Sequence, residues 1–324
     1  MYSVSIVIPA RNDAAALGSA VASVERQTDV AVCDIVIAVG PSYDATKEVA
    51  EELAATNPLI RIVENPSGTT PDALNLAIAA AEGEVLVRVD ARSVLPAHYV
   101  ANALETMQQT GAANVGAVQL PVGTTRTQRA IAAAMRSPLG SGGAKYRHSR
   151  RAVQVETAYL GVFRRTALDA VGGFDERFIR NQDSELNIRL RNEGYEIWLD
   201  PRLVVDYAAR SSFSRLASQY WQYGWWRART VRKHPRSVKL RQLIPPLALA
   251  ASGLASVLAV LISPTFLVIP AVYLAAILLA AALAPGATSL AERPRTALAL
   301  LTMHASWGAA FLVSLVLGKR AGRR

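Results

Sequence analysis

The chain has 324 residues, of which 51% are hydrophobic and 19% charged, and a single cysteine, Cys33, which excludes an intramolecular disulfide and fits a reducing compartment. Its formal charge of +10 is unevenly placed: residues 1–206 carry 20 basic and 24 acidic side chains, residues 207–242 nine basic and none acidic, residues 243–324 six basic and one acidic. A basic belt beside an apolar C-terminus suits anionic headgroups and argues against a nucleic-acid partner, which would need a basic face on the preceding domain.

The first half alternates short β-rich runs with amphipathic stretches. Strands are predicted at 4–8, 34–39, 60–63, 85–89 and 114–119, and helices at 14–26, 45–55, 72–81 and 96–109, with Asp44 as an N-cap and Pro71 and Pro96 at helix starts. No signal-peptide pattern precedes the first strand, so the first 240 or so residues are expected to stay cytoplasmic. Alternation of this kind predicts an α/β fold with a mostly parallel sheet covered by helices on both faces. Ligands of such folds collect at the C-terminal strand ends. Three of these ends carry chemistry: Pro9 to Asp13 with Arg11, the tight turn Gly40 to Asp44, and Arg88-Val89-Asp90-Ala91-Arg92. Singly, each is more often an ordinary turn or cap; their recurrence at successive strand ends points to a site.

Further along, residues 137–151 are glycine-rich and then basic, with Lys145 and Arg147, which suits either a solvated loop or one that meets phosphate. Asp183 follows Asn181 and Gln182 and precedes a helix at 184–191. It reads as a carboxylate favoured by the helix dipole or as a general base held where a hydroxyl can reach it. Residues 214–234 interleave Tyr220, Trp221, Tyr223, Trp225 and Trp226 with Arg227, Arg229, Arg232 and Lys233, the composition of an interfacial helix. Residues 242–291 contain no Asp, Glu, Lys or Arg, and one membrane helix needs only about 20 residues. Three spans are expected, at about 243–262, 265–284 and 296–318, rather than buried core helices. Three spans from a cytoplasmic domain place the basic tail 319–324 outside, against the positive-inside tendency; the alternative is that the hairpin at Ser263-Pro264 does not fully cross or that one segment lies in the interface.

The strings SIVIPARND, NPSGTTPDALNLAIAAAEGEVLVRVDAR, MRSPLGSGGAKYRH, ETAYLGVFRRTALDAVGGFDERFIRNQDSELNIRLR and QYWQYGWWRART together resemble the family 2 glycosyltransferases of the GT-A fold, of the succinoglycan-biosynthesis type. The resemblance covers nearly the whole chain. It implies that Pro9, Arg11 and Asp13 contact the donor nucleotide, that Asp90 leads the Asp-x-Asp element handling the donor diphosphate and its metal, and that Asp183 is the catalytic base. It places Gln222, Trp225 and Trp226 near the Gln-x-x-Arg-Trp-like element on the acceptor and diphosphate side, joined by Lys145 and Arg147. Two positions depart from the pattern: Val39 stands where an Asp is common, and Arg92 where relatives have a possible metal ligand. A guanidinium cannot ligate Mg²⁺ or Mn²⁺, so Arg92 is expected to contact the diphosphate itself.

The expected activity is inverting transfer of a sugar from a nucleotide donor, UDP-linked, to a polyprenyl-diphosphate-linked saccharide at the plasma membrane, in envelope or exopolysaccharide synthesis. Membrane lipids are the other expected partners. A polyprenyl-phosphate sugar synthase and a non-catalytic nucleotide-sugar-binding membrane protein are the alternatives.

Overall fold

The computed structural model describes residues 2–141, 151–286 and 292–318; Lys145, Arg147 and the basic tail lie outside the described residues. The first half runs β1 (Val4–Ala10), α1 (Ala14–Glu25), β2 (Val32–Val39), α2 (Thr46–Thr56), β3 (Ile60–Glu64), α3 (Thr70–Ala80), β4 (Val85–Arg88), α4 (Tyr99–Thr110) and β5 (Asn114–Val122). It continues through α5 (Arg126–Arg136), α6 (Pro138–Ser141), β6 (Val153–Gln154), β7 (Tyr159–Arg164), α7 (Arg165–Val171), α8 (Gln182–Asn192) and β8 (Ile197–Ala208). Four helices follow: α9 (Phe213–Lys233), α10 (Leu240–Leu261), α11 (Val268–Ala282) and α12 (Arg293–Leu317).

The eight strands form one sheet in the order β3-β2-β1-β4-β7-β5-β8-β6. The pairs β3/β2, β2/β1 and β1/β4 are parallel, whereas β7 runs antiparallel between β4 and β5, and β6 antiparallel to β8. The α/β architecture is the expected one, and its parallel part holds the strand ends singled out above. Strands β1 and β2 are nearly continuous apolar runs because both sheet faces are covered. On one face Ile6, Ile8 and Ile37 pack with Leu17 and Val21 of α1 and Tyr99 and Met107 of α4. On the other, Val7, Val36 and Leu86 pack with Leu74 of α3, Leu168 of α7 and Leu186 of α8.

Pro71 sits in the first turn of α3, capped by Thr69, as expected. Pro96 does not start α4, which begins at Tyr99 after a turn closed by the Tyr99 N–H on the Pro96 carbonyl. Helix α8 begins at Gln182, so Asp183 lies in its first turn rather than before it.

The chain forms two compact units, Met1–Gln119 with Lys145–Asp206, and Leu120–Ala144 with Tyr207–Arg324. In the second, α5, α6, α9, α11 and α12 share a core that includes Ile131, Leu216, Ile277, Leu300 and Met303. Helices α10, Pro264–Ala282 and α12 are each long and apolar enough to cross a membrane.

Candidate active site

In the first unit, strand order reverses where β1 lies between β2 and β4, so the connections leave in opposite directions and open a crevice at the carboxyl ends of β1 and β4. At the end of β1, Asn12 takes a left-handed conformation (φ 55°) that turns the chain toward α1. The turn is tied to the loop after β2: the Asn12 N–H donates to Ser42 Oγ (3.1 Å), Tyr43 N–H to Asn12 Oδ1 (3.0 Å), and Asp13 N–H to Thr46 Oγ1 (2.8 Å). Asp44 accepts from Ala14 N–H (3.1 Å) and from the Thr46 hydroxyl and N–H, so one carboxylate serves the starts of both α1 and α2. The Thr46 hydroxyl is the chief reason that Asp44 lies below the usual carboxylate range.

Arg11 spends its guanidinium on two carbonyls, Pro41 O (3.2 Å) and Gly68 O (2.9 Å), fastening the loops after β2 and β3 to β1. Gly68, at φ 64°, packs directly on that guanidinium. Pro9 is half-buried within β1. Val39 is buried at the end of β2, while Tyr43 projects from the following loop at 91% exposure.

The charged centre lies at the end of β4. Arg88 is buried, 5% exposed, and bridges both predicted acids. Its Nε and Nη2 meet Asp90 Oδ1 at 2.9 and 2.8 Å, and its Nη1 donates to Asp183 Oδ1. One oxygen of each carboxylate thus faces the guanidinium. Burial pushes Asp183 above the usual carboxylate range, with Arg88 opposing and Asp90 reinforcing the shift. Burial works against protonated Arg88, but the two carboxylates outweigh it and hold the guanidinium charged. Tyr159 on β7 lies beside this centre, hydrogen-bonded to Ser93 and Gln119, its phenol raised first by burial and then by Asp90.

Arg92, 68% exposed in its side chain, donates to Asp13 Oδ1 and to the Asn12 carbonyl (3.1 Å), so its charge is committed to the β1 turn. The sequence-predicted residues Arg11, Asp13, Asp90, Arg92 and Asp183 therefore share one strand-end region. Gln222, Trp225 and Trp226 lie on α9 of the second unit. There Gln222 is exposed, Arg229 stacks over the Trp226 ring at 4.7 Å, and the neighbouring Gln219 is the bonded glutamine, reaching Tyr207 and Tyr223 hydroxyls at 2.5 and 2.8 Å.

Two residues beyond the predicted set shape the site. Arg88 was visible as a lone charge inside the apolar run Val85 to Val89, which a buried strand tolerates only with a partner. Asn187 had no such signal. It is fully buried on α8, accepts from Asn114 Nδ2 (2.8 Å) and donates to Thr157 Oγ1 (3.1 Å), pinning the helix that carries Asp183.

Among the described residues, no group of three or more His, Cys, Asp or Glu could cage a metal ion. One carboxylate, Asp90, with donor phosphates and water, still suits Mg²⁺ or Mn²⁺, which bind through few protein ligands.

Comparison with known proteins bears on the family and the fold. The family described as "Glycosyl transferase family 2" matches residues 5–172. The succinoglycan biosynthesis protein ExoA of Rhizobium meliloti (strain 1021) is 34% identical over 313 residues, 94% of this chain and 93% of that protein. The dolichyl N-acetyl-alpha-D-glucosaminyl phosphate 3-beta-D-2,3-diacetamido-2,3-dideoxy-beta-D-glucuronosyltransferase of Methanococcus voltae is 26% identical over 208 residues, 62% of this chain and 64% of that one. Among solved structures, the mannosyltransferase PcManGT from Pyrobaculum calidifontis, in complex with GDP-Man and Mn²⁺, aligns with a TM-score of 0.61 at 22% identity, over 97% of this chain and 87% of that one. S. aureus TarS in complex with UDP aligns with a TM-score of 0.50 at 13% identity, over 96% and 90%.

Proposed function

Because this chain belongs to glycosyl transferase family 2, has a GT-A-like fold and is a glycosyltransferase, we propose that its strand-end site transfers a sugar, with inversion, from a UDP-sugar to a lipid-linked saccharide. The setting is exopolysaccharide or envelope synthesis at the plasma membrane, with the first unit cytoplasmic and apolar C-terminal helices in the bilayer. The observation that carries this reading is the bridging of Asp90 and Asp183 by buried Arg88, which puts a base candidate and a diphosphate-side carboxylate in one crevice.

The free oxygen of Asp183 takes the acceptor hydroxyl proton as that oxygen attacks the anomeric carbon from the face opposite the diphosphate. The carbon–oxygen bond to the leaving nucleoside diphosphate breaks, and the diphosphate departs with the electron pair. A divalent ion bound at Asp90 would supply charge stabilisation to that leaving group. Arg92 lies at the same rim and meets the diphosphate once a donor draws it from Asp13. With Val39 in place of an acid, Tyr43 is the ring available to stack on the nucleotide base.

A lipid-linked acceptor is supported by the relative whose name places its sugar acceptor on dolichyl phosphate. The test is transfer from a panel of nucleotide sugars to polyprenyl-diphosphate saccharides and to bare polyprenyl phosphate. Asp183→Asn is expected to lower turnover by about 10² to 10⁴, the usual worth of a general base, with donor affinity retained. Wild-type turnover in that variant removes Asp183 as the base; transfer only to bare polyprenyl phosphate makes the enzyme a lipid-phosphate sugar synthase.

A further inference from the structure

The three apolar helices of the second unit are not alike. In α10 only Pro246 and Ala255 are buried, and in α11 only Ile277 and Ala281. Such ribbons have little protein around them and suit surrounding hydrocarbon. In α12, Thr296, Ala297, Ala299, Leu300, Met303 and His304 head a longer set of buried residues. What covers α12 is chiefly α9, and α9 is no membrane span, since it carries Arg215, Arg227, Arg229, Arg232 and Lys233.

The contacts of α12 fix its depth. At its start, Arg129 of α5 donates to Glu292, the residue that precedes the helix (3.0 Å). Helix α5 follows β5 and leads back to β7, so it stays on the side of the catalytic strands. Near its middle, His304 Nε2 meets the Leu139 carbonyl of α6 at 3.3 Å. Further on, Gly224 of α9 sits against the Trp307 backbone and Gly308 against the Pro245 carbonyl, in the first turns of α10. At its end, Ser314 Oγ donates to the Trp225 carbonyl (3.1 Å) and Arg232 donates to the Ser314 carbonyl. Beginning, middle and end of α12 thus all touch elements of the catalytic side. A crossing helix could reach that side at one end only. If α12 did cross, α9 would run with it, carrying its arginines into hydrocarbon.

We propose that only α10 and α11 cross the bilayer, as a hairpin turning at Pro264–Leu267, and that α12 lies with α9 as a two-helix platform against the phospholipid headgroups on the catalytic side. This rests on the membrane location proposed above. It also removes the charge conflict of three spans: the basic tail 319–324, which three spans would put on the far side, joins Arg293 and Arg295 on the catalytic side, and the far turn Ser263-Pro264-Thr265 is uncharged. Exposed Leu298, Leu315, Val316 and Leu317 give the platform apolar contacts for lipid.

The experiment uses the full-length chain with Cys33→Ser as background and single reporters Thr265→Cys, Arg324→Cys and Glu51→Cys, with Ser263→Cys as a second reporter at the far turn. A membrane-impermeant maleimide is applied to right-side-out spheroplasts and to inverted vesicles, with detergent-opened membranes as the labelling control. Positions 263 and 265 are expected to label only in spheroplasts, and 51 and 324 only in inverted vesicles. Labelling of 324 in spheroplasts, or in neither preparation, overturns the proposal, as does labelling of 263 and 265 from the catalytic side. Release of the whole protein by alkaline carbonate instead overturns the membrane location itself, so the two failures are distinguishable.

Discussion

Arg88 shows how one buried charge can set the character of a site. Two carboxylates enclosed together repel each other, and each is costly to ionise away from water. A guanidinium between them offsets both charges and fixes their separation through a rigid fork. Arg88→Ala is therefore expected to lower turnover by about 10² to 10³, the range for removing one fixed charge-stabilising group. It should also reduce the metal concentration needed for half-maximal activity, because two carboxylates are released for a cation. Arg88→Lys keeps the charge but cannot span both acids, and should recover turnover only partly. A kcat series with a metal titration decides; an unchanged metal requirement in Arg88→Ala removes Arg88 from the electrostatics of the site. Asp90 and Asp183 were legible in the sequence through their motifs, as was the peculiarity of Arg92. That Arg92 would bond Asp13, and that Arg11 would fasten loops, depends on how three strand ends come together, which no local pattern records.

At the scale of elements, the parallel half was legible because its strands are apolar on both faces and its helices carry one apolar stripe; β1 to β5 and α1 to α4 fall where the pattern puts them, within a few residues. Strand β8 was not. Its pattern is interrupted by Asp200 and Arg202, and no strand was predicted there; its place between β5 and β6 in the sheet and the bond from Thr106 of α4 to Asp200 are tertiary. Asp200 is 1% exposed and accepts from Thr106 (2.6 Å) and from the Arg202 guanidinium (2.8 Å). Burial pushes its carboxyl up, but these hydrogen bonds outweigh that effect and hold it below the usual range. A depressed carboxyl stabilises the fold above its unfolded value, near pH 4, and that stabilisation is lost as pH falls through the folded value. Asp200→Asn should then cost about 1.5 to 3 kcal/mol at pH 7, the range for hydrogen bonds to a charged group. The gap from wild type should narrow as pH falls from 7 to below the unfolded value near 4. Thermal unfolding of the purified protein in detergent at both pH values measures this, and a gap of equal size at both would assign Asp200 a purely steric role.

For the molecule as a whole, charge and hydropathy ordered along the chain carry the proposed membrane placement more directly than they carry the molecule's wiring. The apolar runs were readable as helices, yet hydropathy high enough in all three to cross a bilayer concealed that α12 is packed while α10 and α11 are largely bare, since burial against α9 is a tertiary fact. The belt 207–242, with nine basic residues and no acid, follows a segment whose acids outnumber its bases by 24 to 20. An anionic leaflet therefore attracts the belt while weakly repelling the segment before it, which favours one orientation at the surface. Each basic residue near such a leaflet contributes about 1 kcal/mol, and the attraction fades beyond a Debye length of about 8 Å at physiological salt. Trp221 and Tyr223, both exposed on α9, add amphipathic rings suited to the headgroup level. In proteoliposomes, replacing about a third of a zwitterionic lipid by an anionic one should lower the KM for a lipid-linked acceptor several-fold, by holding the platform at the depth where the acceptor headgroup travels. The kcat should change little, because the chemistry proposed for Asp183 and Asp90 does not depend on surface potential. Raising salt to about 1 M, where the Debye length falls to about 3 Å, should erase the difference. A KM equal in neutral and anionic vesicles at low salt would mean that the belt faces protein rather than lipid, whereas a salt-insensitive difference would point to a specific lipid bound in a pocket instead of a surface potential.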